Sequence, residues 1–392
     1  METPTSPPNT SRSPEGEVHV PQNRSCISQL RILREIKILN HIKSHPNIIT
    51  LLDIILPETY EKFVDVYIVN QFMEADLRDI LETNQLVLAD SHVQYFTYQL
   101  LLGIKHLHDA DILHRDMKPE NILVNSDCQI RICDFGLARG CDFDTINPND
   151  EECPATTRLS TNYVQTRWYR APELLLNSDR VGKAIDIWSI GCIMAEFLNH
   201  GQILFAGTST QDQLCQIIQT MGTPRDDEMH GSKPGKDFVK RLEHVEPNPE
   251  WYLECFPGQN SINPRALDLL NKMLQFDYTK RITADQALQH DYFDSLRNLK
   301  TNHDVIGKFN HSFERSLMVT DKENLLLYGN KVKKMCFDTI CKFNHHQYVD
   351  DTDSQSSQED PTFKQSSAQG SSIKRKKSVL SRVKNLFKNK KV

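Results

Sequence analysis

The stretch that decides the fold reads HRDMKPENILVN at residues 114–125 and ICDFGLAR at residues 132–139. Asp-Phe-Gly alone occurs often by chance. Here it begins thirteen residues after Asn121, and Ala-Pro-Glu follows at residues 171–173. A set of motifs in this order and at this spacing is very specific. We therefore expect the polar residues of both loops to form one site.

This combination resembles the eukaryotic protein kinases over residues 27–295. By that resemblance, Asp116 would accept the proton of the substrate hydroxyl, and Lys118 would lie beside the transferring phosphoryl group. Asn121 and Asp134 would supply oxygen ligands to Mg²⁺. The alternative interpretation, polar residues that cap turns between short strands, does not explain the separation of the two metal ligands. The resemblance therefore implies ATP and Mg²⁺ as cofactors.

The segment TNYVQTRWYRAPE at residues 161–173 resembles the activation segment of mitogen-activated protein (MAP) kinases, with its Thr-x-Tyr phosphorylation pair. Thr161 and Tyr163 would then be phosphorylated by an upstream dual-specificity kinase, and Asn162 is typical of the fungal sporulation type. Guanidinium groups suit a dianionic phosphate. The resemblance assigns five arginines to the phosphates, with Arg34, Arg115 and Arg139 for phospho-Thr161 and Arg167 and Arg170 for phospho-Tyr163.

Further roles follow from the same resemblance. Thr166 would link Asp116 to Lys118. Met73 would meet adenine beside the gatekeeper Asn70. The remaining assignments are Asp76 on the ribose, Leu123 at the pocket floor, a buried ion pair of Glu173 with Arg281, and Asp186 as the anchor of the catalytic loop. Each position is also compatible with an ordinary core or capping residue, but their agreement favours the kinase interpretation.

Glu35 lies on a predicted helix whose apolar stripe recurs at helical spacing. In the kinases the corresponding Glu pairs with a Lys on the third strand, and a Gly-rich loop covers the phosphates. The first lysine of this sequence is Lys37, and no G-x-G-x-x-G precedes it. The predicted fold is therefore α+β, a two-lobe protein kinase fold with a truncated small β lobe, strands 1 to 3 absent, and a complete, mainly helical large lobe.

Two functions stay open on these residues. The first is a MAP-kinase-type serine/threonine kinase, switched on at Thr161 and Tyr163, whose printed sequence lacks an N-terminal part. The second is a catalytically impaired pseudokinase or scaffold. The loss of one preorganised donor typically costs about 10²- to 10³-fold in rate, and here the Lys and the loop amides are both missing. Efficient catalysis by these residues alone is not expected.

Composition and periodicity divide the chain into segments. The predicted ones are a disordered leader at 1–26, a small-lobe remnant at 27–74, the large lobe at 75–295, a C-terminal extension packing on the lobes at 296–348, and a disordered tail at 349–392. Residues 374–391 carry nine Lys or Arg around an apolar face formed by Val379, Leu380, Val383, Leu386 and Phe387. Membrane contact, nuclear import through KRKK and an inert solvated tail all remain open for this segment.

The net charge of -6 in 392 residues gives no whole-chain field that indicates nucleic acid as a partner. Ten cysteines without a secretory leader or an apolar membrane span predict a reducing, intracellular location, in the cytoplasm, the nucleus or both. Cys336 and Cys341 precede His345 and His346 at a spacing that fits no zinc template. We expect buried helix cysteines there.

Substrate selection is predicted from two further stretches. The family implies protein substrates with Ser/Thr-Pro sites, although Gln165 replaces an Ala that is usual near the pocket for the following residue. MAP kinases usually carry an acidic D-P-x-D-E-P docking patch after the large lobe. Here the aligned residues 298–303 read NLKTNH, so the acidic docking patch is absent from that position.

Overall fold

The computed structural model of the chain describes residues 26–82, 88–140, 166–178, 181–256, 262–297, 306–315 and 325–354. Helices dominate these residues, and the strands form three small antiparallel sheets. The predicted α+β class is confirmed.

The first described elements are the helix α1 (Cys26–Ile42) and the antiparallel hairpin of β1 (Leu51–Ile54) with β2 (Ile68–Asn70). The predicted apolar stripe of α1 is buried, since Leu33, Ile36 and Ile38 are fully enclosed. A bulge interrupts β1 between Leu51 and Asp53. Along both strands the more exposed residues alternate with less exposed ones, so one face of the hairpin packs on the core and the other is turned outward.

The centre of the fold is built around the long helix α3 (Asp90–Asp109), which is buried over most of its length. Short strands surround it, because the stretch that carries the H-R-D and D-F-G motifs alternates short apolar runs with turns. Their bounds, in chain order with the short helix α2, are β3 (Ala75–Asp76), α2 (Leu77–Leu81), β4 (Ile112–Leu113), β5 (Ile122–Val124), β6 (Ile130–Ile132) and β7 (Arg139–Gly140). The order β3-β5-β6 and the pair β4-β7 bring the two catalytic motifs together.

Helices make up most of the structure that follows, from Pro172 to Leu288. They are α4 (Pro172–Leu175), α5 (Ala184–Leu198), α6 (Thr210–Met221), α7 (Lys233–Lys240), α8 (Tyr252–Cys255), α9 (Pro264–Met273) and α10 (Ala284–Leu288). α5 is buried on all sides. A capping box formed by Thr283 and Gln286 starts α10, and the Ser209 side chain caps α6. α5 thus provides a rigid support from which a side chain can hold the catalytic loop.

The C-terminal extension comprises α11 (Ser312–Arg315) and α12 (Leu325–Ser354). α12 packs on α1, where the thiol of Cys336 lies 3.6 Å from the carbonyl oxygen of Gln29. The helix continues to Ser354, past the predicted start of the tail at 349, because no Pro or Gly interrupts this stretch. Residues 355–392 lie outside the described part. No helix among the described residues is long and apolar enough to cross a membrane.

Candidate active site

The catalytic loop brings Asp116, Lys118 and Asn121 into direct contact. The Lys118 ammonium lies 2.9 Å from Oδ2 of Asp116, and the Asn121 side-chain amide donates to the same oxygen at 3.1 Å. The amide also donates to the Asp116 carbonyl at 2.8 Å. These bonds hold the Asp116 carboxylate in one orientation. The H-R-D-x-K-P-x-N spacing therefore places a carboxylate, a cation and an amide within one hydrogen-bonded group.

A buried carboxylate on α5 anchors this loop. Asp186 accepts hydrogen bonds from the backbone amides of His114 at 3.0 Å and Arg115 at 2.8 Å, as well as a contact from the His108 ring. Despite full burial, the His108 hydrogen bond and nearby histidines hold the pKa of Asp186 below its usual range. Arg115 has φ +69, a conformation that costs a non-glycine residue energy. The anchor predicted for Asp186 is present, and it holds the loop in that conformation.

The D-F-G motif is joined to the catalytic loop by backbone and ring contacts. The Cys133 amide donates to the Asn121 carbonyl at 2.9 Å, and the His114 ring lies 3.1 Å from the Cys133 carbonyl. Buried Phe135 packs edge-on against the His114 ring at 5.2 Å. Asp134 has φ +62, and its carboxylate accepts from the Gly136 amide at 3.2 Å. Asp134 is thus fixed next to the catalytic loop.

Glu35 on α1 lies close enough to Asp134 for the two carboxylates to interact. Burial, and then the negative charge of Asp134, raise the pKa of Glu35 to about 7. Between residues 26 and 354, apart from the gaps given above, no Lys, Arg or His forms an ion pair with Glu35. The carboxylate that, by the family resemblance, would pair with a strand lysine therefore lacks a cationic partner among the described residues and interacts with a second carboxylate.

Two of the residues predicted to meet the nucleotide lie on the β3-β5 pair. Asp76 and Leu123 are directly opposite each other in the strand register. The Asp76 carboxylate accepts from the Asp79 amide at 2.8 Å and caps α2. Met73 is half-buried against the core. The amide oxygen of Asn70 is buried without a hydrogen-bond partner among the described residues. A ligand with an amino donor would satisfy that oxygen.

A residue that the sequence did not predict joins two of the assigned arginines. The Glu314 carboxylate accepts from Nε of Arg34 at 2.7 Å and lies 3.4 Å from Nε of Arg139. Arg34 is itself buried, and its Nη1 donates to the Gly136 carbonyl at 2.7 Å. Glu314 lies on α11 and is 280 residues from Arg34. No local motif points to such a distant contact.

The remaining switch residues are only partly described. Thr161, Tyr163 and Gln165 lie outside the described residues. Arg167 and Arg170 share one turn, in which the Arg170 amide donates to the Arg167 carbonyl at 3.0 Å. Burial, and then the Arg167 charge, lower the pKa of Arg170. Two cations held close together favour an anion between them.

The predicted Thr166 link between Asp116 and Lys118 is untested. Thr166 lines the same small cleft as both residues, and the two are also paired directly. The role of Thr166 stays a prediction.

The donor set fits a hard cation. The Asn121 amide nitrogen faces Asp116, which leaves its oxygen available, and Asp134 supplies carboxylate oxygens. Oxygen ligands of this kind are what Mg²⁺ binds, with waters and substrate phosphates completing the shell. Among the described residues, no group of three or more His, Cys, Asp and Glu could hold a metal ion. An all-protein metal cage is therefore not part of the described structure.

Sequence comparisons agree with this geometry. The pattern of the family described as "Protein kinase domain" matches residues 18–293. Mitogen-activated protein kinase 5 of Oryza sativa subsp. indica is 40% identical over 304 residues, 77% of each chain. Mitogen-activated protein kinase SLT2/MPK1 of Saccharomyces cerevisiae is 43% identical over 298 residues, 75% of this chain and 58% of its own. Mitogen-activated protein kinase 13 of Arabidopsis thaliana is 45% identical over 291 residues, 74% of each chain.

Proposed function

Because the chain belongs to the protein kinase family and its relatives are MAP kinases, as predicted, we propose that it transfers the γ-phosphoryl group of ATP to Ser or Thr of protein substrates. The observation that carries this proposal is the Asp116 carboxylate, oriented by Lys118 at 2.9 Å and Asn121 at 3.1 Å. A carboxylate held in this way can accept a proton from a hydroxyl as it attacks. The family resemblance supplies the reaction class.

Each residue of the loop would have a defined task. Asp116 orients the substrate hydroxyl and takes its proton, and Lys118 neutralises negative charge that develops on the phosphoryl oxygens. The pair is joined in the structure, so substrate binding must share Lys118 between Asp116 and the phosphate. Asp186 acts by positioning the loop through its two backbone amide contacts. Positioning of this type is a major part of catalysis of phosphoryl transfer.

Asn121 and Asp134 would hold Mg²⁺, which would neutralise the phosphate charge of bound ATP. Their donor atoms fit a hard cation, and both residues are fixed by neighbouring backbone groups. Met73, Asp76 and Leu123 would contact the adenosine part of ATP. The strand register that pairs Asp76 with Leu123 supports a common side of the site for these residues.

We propose further that phosphorylation of Thr161 and Tyr163 by a dual-specificity kinase activates the chain. Glu314 already contacts Arg34 and Arg139, two of the three arginines assigned to phospho-Thr161. A phosphate carries about -1.5 to -2 charge and more acceptor oxygens than a carboxylate. The phosphate would compete with Glu314 for the arginines, and Arg115, Arg167 and Arg170 would complete the sites.

We also propose that the small lobe is truncated and that the segment boundaries predicted from the sequence apply. The pseudokinase or scaffold is the second candidate, and the electrostatics of Glu35 favour it. Among the described residues Glu35 has no Lys, Arg or His as an ion-pair partner, and in the family that ion pair orients the α- and β-phosphates. Turnover by residues 1–392 would then be slow even though the catalytic loop is well formed. An N-terminal part that supplies Lys and the Gly-rich loop would restore it.

The proposed partners are an upstream kinase and substrates with Ser/Thr-Pro sites, in an intracellular setting. Acidic docking of basic peptides is not proposed, because residues 298–303 carry no acidic side chain. The fungal sporulation subtype rests on Asn162 alone and stays a prediction. Nucleic acid is not proposed as a partner.

The test of the proposed function is phosphoryl transfer from Mg-ATP to a generic Ser-Pro protein by the purified chain. Asp116→Asn should lower the rate at least about 100-fold, because the amide cannot accept the proton. Asp127→Asn is the matched control, since Asp127 is an exposed carboxylate in the turn before β6. Equal rates for the native chain and Asp116→Asn would reject the assignment of Asp116. A complete lack of transfer by the native chain with bound ATP would favour the scaffold.

A further inference from the structure

The β1-β2 hairpin exposes an apolar surface that the proposed kinase function does not use. Tyr67 is 60% exposed and Val69 is 39% exposed, and they alternate with the inward-facing Ile68 on β2. The Ile55 amide bonds to the Tyr67 carbonyl at 3.0 Å, and 54% of Ile55 is exposed. We call Leu52, Ile55, Leu56, Tyr67, Val69 and Phe72 the hairpin patch. Clusters of exposed apolar residues of this kind usually mark interaction sites.

The hairpin that carries the patch contains more acidic than basic side chains. Residues 51–70 contain four carboxylates, Asp53, Glu58, Glu61 and Asp65, and a single lysine. That lysine, Lys62, is paired with Glu58. A partner with basic residues around an apolar face would complement both properties of this surface.

The C-terminal extension already packs against the same hairpin. Phe337 of α12 meets the Tyr60 ring at 5.4 Å, and Lys333 lies over that ring at 4.9 Å. The Asn344 side-chain amide donates to the Ile54 carbonyl at 3.0 Å. Ile54 directly precedes Ile55 of the hairpin patch. α12, the last described helix before the basic segment, is therefore bound to β1 of the hairpin.

The remaining chain is long enough to return to the hairpin patch. Ten residues of helix separate Asn344 from Ser354, about 15 Å of rise. Residues 355–373 precede the basic segment, and a flexible linker of this length spans about 24 Å on average. Tethering over such a distance gives an effective concentration in the millimolar range. Even a weak contact would be occupied most of the time.

We propose that residues 374–391 dock on the hairpin patch of their own chain. Val379, Leu380, Val383, Leu386 and Phe387 would cover the exposed apolar side chains, and the nine Lys or Arg of the segment would meet the hairpin carboxylates. The contact goes beyond the proposed phosphoryl transfer and uses none of the residues assigned to that reaction. It would cover the surface next to Met73, because Phe72 is 80% exposed and belongs to the hairpin patch.

Hydrogen exchange of the full chain, followed by mass spectrometry, tests this proposal. The probe is the set of peptides from residues 51–72, with peptides from α5 as the internal reference. The double variant Leu380→Asp with Leu386→Asp places two charges on the apolar face. The matched control, Asn385→Asp with Asn389→Asp, changes the charge equally on the polar side. We expect at least about 10-fold faster exchange of the hairpin in the apolar-face variant alone, which corresponds to a lost contact of about 1.4 kcal/mol.

Four results would overturn the proposal. If the hairpin exchanges at the same rate in the native chain and in the apolar-face variant, residues 374–391 do not cover the hairpin. If the apolar-face variant and the control speed up hairpin exchange equally, the added negative charge causes the effect and the apolar face has no role. Hairpin protection that disappears on dilution assigns the contact to a second copy. Binding of the native chain to phosphatidylserine vesicles with unchanged hairpin exchange would assign the segment to membranes instead.

Discussion

The Glu314 carboxylate lies 2.7 Å from Nε of Arg34, across 280 residues of sequence. The same carboxylate is 3.4 Å from Nε of Arg139. It therefore occupies a position between two arginines that, by family resemblance, would receive the phosphate of Thr161. α11 of the C-terminal extension thus contacts two of the arginines that are proposed to bind phospho-Thr161.

Glu314→Gln should lower the free energy of unfolding of the unphosphorylated chain by about 1–3 kcal/mol, because the buried Arg34 loses a charged partner. After phosphorylation of Thr161 the difference should become small, since the phosphate replaces the carboxylate. Urea unfolding of both forms measures the two differences. Glu250→Gln, at an exposed position, is the control. A destabilisation that phosphorylation leaves unchanged would mean that Glu314 and the phosphate bind different groups.

Glu35→Gln should stabilise the chain increasingly as pH rises. The pKa of Glu35 is raised to about 7 in the folded state, so the proton bound there favours folding at low pH. This contribution is full below about pH 4.5 and is lost as pH rises through 7. The variant should therefore gain about 2–3 kcal/mol over the native chain between pH 5 and pH 8. Urea unfolding without Mg²⁺ measures this difference, and a pH-independent value would contradict the assigned pKa.

Arg281→Met should destabilise the chain by about 3–5 kcal/mol, because it leaves the buried Glu173 carboxylate without a partner. The Arg281 guanidinium holds Glu173 through bonds of 2.7 and 3.0 Å, and both side chains are enclosed. Arg265→Met removes an exposed guanidinium and should cost less than about 1 kcal/mol. Thermal unfolding of the two variants provides the comparison. Equal effects would show that the buried ion pair has no special role.

A basic docking peptide of the MAP kinase type should bind weakly, with an affinity that changes less than about two-fold between 50 and 300 mM salt. The reason is the neutral or basic character of residues 298–303. Titration by fluorescence anisotropy measures this dependence. A MAP kinase that has the acidic patch serves as the positive control. Tight binding that falls steeply with salt would reveal an acidic docking surface elsewhere on the chain.

The sequence predicted the parts of the site that depend on short spacing. Asp116, Lys118 and Asn121 share one loop, so their motif already determines which side chains meet. Glu314 could not be predicted, because its partner Arg34 comes from α1 and only the packing of α11 brings the two together.

Two further features depended on tertiary packing. The exposure of the hairpin patch depends on how β1 and β2 pack against the other described elements, and a window of sequence does not contain this information. The placement of α12 depends on its packing against α1, since intrinsic propensity alone makes an isolated helix marginal.

We propose that the well-formed loop of Asp116 supports slow phosphoryl transfer although no Lys of the described residues pairs with Glu35. The direct test is the kcat/KM of residues 1–392, phosphorylated on Thr161 and Tyr163, with Mg-ATP and a Ser-Pro protein. A MAP kinase with the Gly-rich loop and the strand lysine is assayed in parallel. We predict Asp116-dependent transfer that is at least about 100-fold slower than that of the complete kinase. A kcat/KM equal to that of the complete kinase would contradict the account.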